Sequence, residues 1–232
     1  MNRTLDVATS LFATLARLGG GLRVEKLGAR PGKPLEVYEF EGCPYCRKVR
    51  EVLTALDLEA IIYPCPKGGT RFRSVVRERG GKEQFPYLVD PNSGKAMYES
   101  SDIIRYLCAE YGTGSVPWLY SGGVLFDATS SLASAWRLGA GVQVAASKAP
   151  AQPLELWSFE ASPYCRIARE TLCSLEIPYR LHNVGKNSPS RDAFVERSGK
   201  MQVPFLADPN TQVELFESAD IVHYLQATYG AP

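Results

Sequence analysis

Several things are scarce in this chain of 232 residues. No apolar run approaches the ~20 residues that a membrane-spanning helix needs, so no span is expected. Neither charge is in excess. The 26 Lys and Arg face 25 Asp and Glu, a formal net of +1, which argues against a protein held to nucleic acid by bulk positive charge. Cysteine is sparse at six residues. That is too few for the disulfide scaffold of a small secreted domain, and with no secretory signal pattern ahead of them a reducing compartment is expected. Histidine is scarcer still, with only His182 and His223. Against these shortages stands a hydrophobic fraction of 45%, as in a folded globular protein and too high for a disordered one.

What the chain does contain is itself, twice. Cys43-Pro44-Tyr45-Cys46 returns as Ser162-Pro163-Tyr164-Cys165, 119 residues later. Gln84-Phe85-Pro86-Tyr87-Leu88-Val89-Asp90-Pro91-Asn92 returns as Gln202-Val203-Pro204-Phe205-Leu206-Ala207-Asp208-Pro209-Asn210, and Tyr98-Glu99-Ser100-Ser101-Asp102 as Phe216-Glu217-Ser218-Ala219-Asp220, both at an offset of 118. Three blocks in the same order at a nearly constant offset mean two copies of one unit. The copying extends upstream, where Ser10-Leu11 and Arg17-Leu18-Gly19 resemble Ser131-Leu132 and Arg137-Leu138-Gly139. Residues 5–18 form an apolar helical stripe that alone resembles an organelle presequence, but its repetition favours a structural helix.

Each copy reads in the same order. Leu35 to Phe40 alternates as a half-buried strand does, and Leu154 to Phe159 repeats the pattern. A helix follows, with Pro44 or Pro163 in the first turn, where a missing N–H costs nothing. Then come a strand over 59–63, a helix over 71–79, a strand at 87–89, a turn at Pro91-Asn92-Ser93-Gly94, a short strand near Met97 and a helix over 101–111. The result is β-α-β-α-β-β-α twice, an α/β chain of two tandem domains, 1–116 and 117–232. Each domain is expected to hold a four-stranded mixed sheet flanked by helices. Gly112 to Gly123 carries four glycines and is the expected joint.

A strand, C-P-Y-C at a helix start, X-Pro before a strand and E-S-x-D before the last helix together resemble the thioredoxin fold. The chain is similar to glutaredoxins, whose signature is C-P-Y-C, and to glutathione S-transferase N-terminal domains. Its Asp-Pro-Asn turn and Glu99-Ser100 pair are closer to the transferase type and to prostaglandin E synthase 2. The resemblance covers roughly residues 34–112 and 153–230. Two departures stand out. Glu39-Phe40-Glu41-Gly42 lies where glutaredoxins usually carry a lysine before the motif. A second thioredoxin unit replaces the all-helical domain in which transferases hold their electrophile.

A thiol attacks as its thiolate, and a helix N-terminus stabilises that charge. The resemblance implies Cys43 as nucleophile and Cys46, one turn further in, as resolving thiol. Glu39 and Glu41 oppose thiolate formation. A structural disulfide, half a zinc site or an inert pair are the other uses of such cysteines, and zinc would need ligands that only the second copy's histidines could add. The resemblance also implies glutathione as cosubstrate. Tyr45 would line its site, the backbone before a cis Pro86 at Phe85 would pair with its cysteinyl part, and Glu99 and Ser100 would receive its γ-glutamyl group. Ser100 and Asp102 also suit a helix start on physical grounds alone. The implied activity is thiol–disulfide oxidoreduction on disulfides or mixed disulfides. Transferase or isomerase activity, or a non-catalytic glutathione- or partner-binding module, are the alternatives.

Residues 1–116 carry a net of +3 and the remainder −2. Lys67, Arg71, Arg73, Arg77, Arg79 and Lys82 cluster on the second helix and its flanks. They read as a solvated face, or as a site where Lys67 or Arg71 meets a glycyl carboxylate or steers an acidic partner. In the second copy Ser162 takes the nucleophile position. Ser162, Cys165, Val203, Pro204, Glu217 and Ser218 could form a serine-type transferase site, a binding pocket without chemistry, or a scaffold with one buried thiol. Cys65 reads as an incidental or exposed regulatory loop thiol, and Cys108 and Cys173 as core. No metal, nucleic acid or membrane is expected as a partner. The expected location is the cytoplasm, with the chloroplast stroma as the alternative.

Overall fold

A computed structural model of the protein describes residues 20–25, 27–116 and 139–231. The helix expected over 5–18, its counterpart ahead of the second copy and the joint beyond residue 116 lie outside the described residues. The expected division at 116/117 falls at their edge.

The first copy runs β1 (Leu35–Glu39), α1 (Pro44–Ala55), β2 (Ala60–Pro64), α2 (Arg73–Gly80), β3 (Tyr87–Asp90), β4 (Lys95–Met97) and α3 (Ser100–Tyr111). The second repeats it as β5 (Leu154–Ser158), α4 (Pro163–Ser174), β6 (Tyr179–Asn183), α5 (Ser190–Ser198), β7 (Phe205–Asp208), β8 (Val213–Phe216) and α6 (Ser218–Tyr229). Local chemistry sets the boundaries. Pro44 and Pro163 open their helices, and Cys43 and Ser162 cap them through side chains that accept backbone N–H groups. Helices α2 and α5 stop where Gly81 and Gly199 take φ of 81° and 80°, a left-handed turn that glycine adopts without a Cβ clash. The Asp-Pro-Asn turns tie the last helix to the sheet. Asp90 accepts hydroxyl hydrogen bonds from Tyr106 and Tyr111, and Asp208 accepts them from Tyr224 and Tyr229. Burial opposes the charge on Asp90, but these donors and Asn92 prevail and hold it at about 2.

Within each copy the sheet is mixed, β1 pairing parallel with β2 and antiparallel with β3, as β5 does with β6 and β7. The two four-stranded sheets do not stay separate. They merge into one eight-stranded sheet in the order β4-β3-β1-β2-β6-β5-β7-β8. The reason is the exposed edge: β2 would otherwise present a row of unpaired N–H and C=O groups. Its partner is its own repeat, β6, in antiparallel register with Ile61 opposite Arg180. Those two residues are 119 apart, so each faces its own counterpart. An approximate two-fold axis therefore passes between them, the isologous geometry of a symmetric dimer built within one chain. One apolar core runs through both copies, with Leu35, Leu53, Ile62 and Leu88 joined to Leu154, Leu172, Leu181 and Leu206.

Polar groups lock the junction. Arg180 donates to Glu59 through Nε (3.1 Å) and Nη2 (2.6 Å). His182 places Nδ1 2.7 Å from the same carboxylate, bonds Glu155 through Nε2 and stacks on Trp157. Burial disfavours the imidazolium, but Glu155 and Glu59 outweigh it and leave His182 above its ordinary 6.5. The hydrogen bond with His182 in turn helps to hold Glu59 at about 2. A histidine raised on folding contributes its full stability below the unfolded value and loses it as pH rises through the folded one. Urea midpoints are therefore expected to fall as pH climbs from about 6, and His182→Gln is expected to flatten that slope.

Candidate functional site

Cys43 leaves β1's loop in extended backbone (φ −77°, ψ 123°) and caps α1, its Sγ accepting the Cys46 N–H at 3.3 Å. The hydrogen bond with Cys46 lowers the Cys43 thiol below its ordinary value, against the opposing effects of burial and the Glu39 charge. Burial and the Cys43 charge push Cys46 far the other way. The two thiols are thus shifted in opposite directions, Cys43 down and Cys46 up.

Beside this helix start lies a cleft of about 320 Å³, lined by Tyr45, Gln84, Phe85, Pro86, Glu99 and Ser100. The five residues assigned to glutathione from the sequence line this single space. The Phe85–Pro86 bond is cis. Glu99 precedes α3 with φ +65° and ψ 112°, a conformation that costs a non-glycine residue roughly 1–3 kcal/mol and persists where surroundings enforce it. Gln84, which the sequence reading did not single out, supplies part of that enforcement by donating to the Glu99 carboxylate. Its recurrence as Gln202 was the available signal. The Arg73 guanidinium sits 4.8 Å from the Phe85 ring centroid.

The second copy keeps the frame. Ser162 caps α4 and accepts the Cys165 N–H at 3.3 Å, Val203–Pro204 is cis and Glu217 has φ +62°. Gln202 donates to Glu217 as Gln84 does to Glu99, and Ser218 is buried at the start of α6. Cys165 is fully buried, and burial raises its thiol. The acceptor role of the Cys43 sulfur is filled here by a hydroxyl oxygen.

The basic cluster divides. Arg71 lies at the junction of the two copies. It donates to the carbonyls of Leu175 (2.7 Å), Glu176 (3.2 Å) and Ser147, all in the second copy, because three converging carbonyls satisfy a guanidinium that would otherwise be desolvated without partners. Arg73 and Arg77 pair with Glu83, and Arg79 with Glu36. Cys65 is buried against Tyr38, Val76 and Tyr87, not exposed, and burial raises its thiol. Cys108 belongs to the main core. Cys173 is buried at the junction, donating to the Gly141 carbonyl and accepting from the Glu41 N–H.

The largest feature missed from the sequence is a buried charge network under the motif helices. Glu39, Glu41, Arg47, Arg50 and Glu51 meet Glu160, Arg166 and Arg169, all of them buried. Burial together with Glu41 and Glu160 raises Glu39 to about 7 despite Arg50. Burial also opposes the charge on Glu160, but Arg169, Arg50, Arg47 and Arg166 hold it at about 2. The clue was present: Glu41, Arg47, Arg50 and Glu51 all recur at an offset of 119 among apolar helix positions.

This frame of two thioredoxin-like units, each with a capped motif helix and a cis-proline before a strand, defines the fold class. Within it, the chain belongs to the glutathione S-transferase N-terminal domain family, whose model matches residues 37–122 and again 156–232. That makes it a glutathione-related thioredoxin-fold protein. Among solved structures it is similar to Leishmania TDR1, described as a unique trimeric glutathione transferase, at 12% identity over 87% of this chain and 68% of that one. The TM-score is 0.30. No curated protein matches the chain.

Alkylation with iodoacetamide at mildly alkaline pH is expected to modify Cys43 well ahead of Cys46, Cys65, Cys165 and Cys173, whose thiols are all raised. Peptide mapping by mass spectrometry reads the order. Equal labelling of Cys43 and Cys46 would contradict the split.

Proposed function

We propose that this protein is a glutathione-dependent thiol–disulfide oxidoreductase, with Cys43 as nucleophile and Cys46 as resolving thiol. The observation that carries this reading is the Cys43 sulfur held as the acceptor of the Cys46 N–H at a helix start, with its thiol lowered, next to a cleft lined by Tyr45, Phe85, Pro86, Glu99 and Ser100.

The reaction runs as two exchanges. The Cys43 thiolate attacks the glutathione sulfur of a mixed disulfide. The S–S bond breaks, the substrate leaves as a thiolate and takes up a proton, and Cys43 becomes glutathionylated. A second glutathione thiolate then attacks that adduct, releasing oxidised glutathione and restoring Cys43. Alternatively, Cys46 loses its proton and attacks, forming the Cys43–Cys46 disulfide and releasing glutathione. The high Cys46 thiol slows this intramolecular branch at neutral pH and favours the route through a second glutathione. Glutathione would place its γ-glutamyl carboxylate at the start of α3, where Ser100 and the helix N–H groups lie, and its ammonium against Glu99. The Phe85 backbone would pair with its cysteinyl part.

Membership of the transferase family supports a second reading, conjugation of glutathione to an electrophile. That activity would survive Cys43→Ser and be lost with Ser162→Ala. Retained glutathione binding with neither activity would mark a binding module.

After treatment with oxidised glutathione, intact mass is expected to show a loss of about 2 Da in the wild type and a stable glutathione adduct on Cys46→Ser. Cys43→Ser should show neither, and an unchanged mass in all three would sink the oxidoreductase reading. Separately, Glu99→Ala is expected to weaken glutathione binding about tenfold or more by calorimetry, the loss of one charge-assisted contact.

A further inference from the structure

Just ahead of Cys43 the chain is gripped by the other copy. The buried Glu41 carboxylate accepts a two-point fork from Arg169, Nε to Oε2 at 3.1 Å and Nη2 to Oε1 at 3.0 Å. The Glu41 N–H donates to Cys173 Sγ at 3.4 Å. Gly42 lies so close to Val142 that a Cβ at this position would fall 2.2 Å from its Cγ2. Arg169, Cys173 and Val142 all come from the second copy. From the first copy, Arg50 Nη2 donates to the Glu41 carbonyl at 3.1 Å, and the Cys43 N–H closes a turn on the Phe40 carbonyl at 3.0 Å. Residues 41–42 are clamped from both sides.

The grip is reciprocal but its consequences are not. Arg50 Nε donates to Glu160 at 2.9 Å, and the Glu160 N–H reaches Thr54 Oγ1 at 3.3 Å, the mirror of the Arg169 and Cys173 contacts. That mirrored loop leads to Ser162. Only the grip on Glu41 leads to a thiol pair, so only one of the two exchanges can bear on redox chemistry.

We propose that Arg169 is a positioning residue for Cys43: acting through Glu41, the second copy sets the loop that aims the first copy's nucleophile. The inference rests on the reading of Cys43 as nucleophile. It also gives the second copy a task that requires no nucleophile of its own. The physical basis is geometric. A bidentate guanidinium fixes both carboxylate oxygens and hence the direction of the Glu41 backbone, and two residues on, that backbone delivers Cys43 to the Cys46 N–H. A lysine at 169 would keep the charge but lose the fork. Glu41 would then be free to swing between its other neighbours Arg50 and Arg166, loosening the cap and weakening the hold on the thiolate.

The test is the rate of Cys43 alkylation by iodoacetamide against pH, in the full chain, for wild type and Arg169→Lys, with thermal melting alongside. Arg169→Lys is expected to move the midpoint of the profile up by about one pH unit and to slow alkylation below it about tenfold. A variant that melts lower but keeps the wild-type profile would show Arg169 to be scaffold only and overturn the proposal. If Arg169→Lys does not fold, the double variant Glu41→Gln with Arg169→Met removes both members of that pair, which is tolerated better than loss of one partner, and leaves Glu160, which Arg169 also meets at 2.8 Å, to Arg50, Arg47 and Arg166. The same upward shift is expected there, and an unmoved profile has the same overturning force. Alkylation requires neither glutathione nor a disulfide. A wild-type midpoint in the range of an unperturbed thiol would therefore count against the oxidoreductase reading itself, whereas a low wild-type midpoint unmoved by either variant would defeat only the positioning role.

Discussion

The pairing of β2 with its own repeat is the constraint on which the rest of the structure depends. A thioredoxin-like unit of this order ends its sheet on β2, and an open edge is both a lost set of hydrogen bonds and an invitation to aggregate. Because the two edges are copies of one sequence, antiparallel contact about Ile61 and Arg180 satisfies both at once. That contact sets the two copies antiparallel across the junction, so that the loop ahead of each motif helix meets the last turn of the other, Glu41 at Cys173 and Glu160 at Thr54. The merged core, the Arg71 contacts and the His182–Glu59–Glu155 cluster follow from it.

The buried charges are the second consequence. Four arginines and four glutamates out of water are costly unless each is held by good geometry, and such a network is weak evidence for stability as such. Its arrangement points to specificity. Each motif loop's glutamate is held by the opposite copy's helix, Glu41 by Arg169 and Glu160 by Arg50, so neither loop's setting is independent of its neighbour. An apolar interface of the same size would join the copies without dictating where residues 41–43 lie.

Ser162 stands where the first copy has Cys43, and the structure around it is otherwise the same. The second copy keeps the capping hydroxyl, the cis-proline, the Gln202–Glu217 contact and the strained Glu217 backbone. The frame is therefore intact where a hydroxyl replaces the thiol. Cys173 and Thr54, occupying equivalent positions, both accept a backbone N–H from the opposite motif loop. A thiol and a hydroxyl serve the same mechanical end.

Much of this was legible in the residues themselves. The repeat fixed the order of elements, since strand alternation, proline at a helix start and the Asp-Pro-Asn turn are local signals that survive in any context. The residues around the cleft, Tyr45, Phe85, Pro86, Glu99 and Ser100, were named through the resemblance to glutathione-binding thioredoxin folds, which the ordered motifs carry. Gln84, the burial of Cys65, the use of Arg71 and the Arg–Glu exchange were not. Each depends on which residue lies opposite, and for the exchange that means a partner more than 100 positions away. Periodicity marks a charged helix residue as solvent-facing unless a second unit is known to cover it. Local propensity and the repeat thus determined what each copy is, and only the packing of one copy on the other decided that they share one sheet and a single gripped loop. The reason is physical: edge pairing and buried charge compensation are properties of two surfaces in contact, and no single stretch of chain contains both.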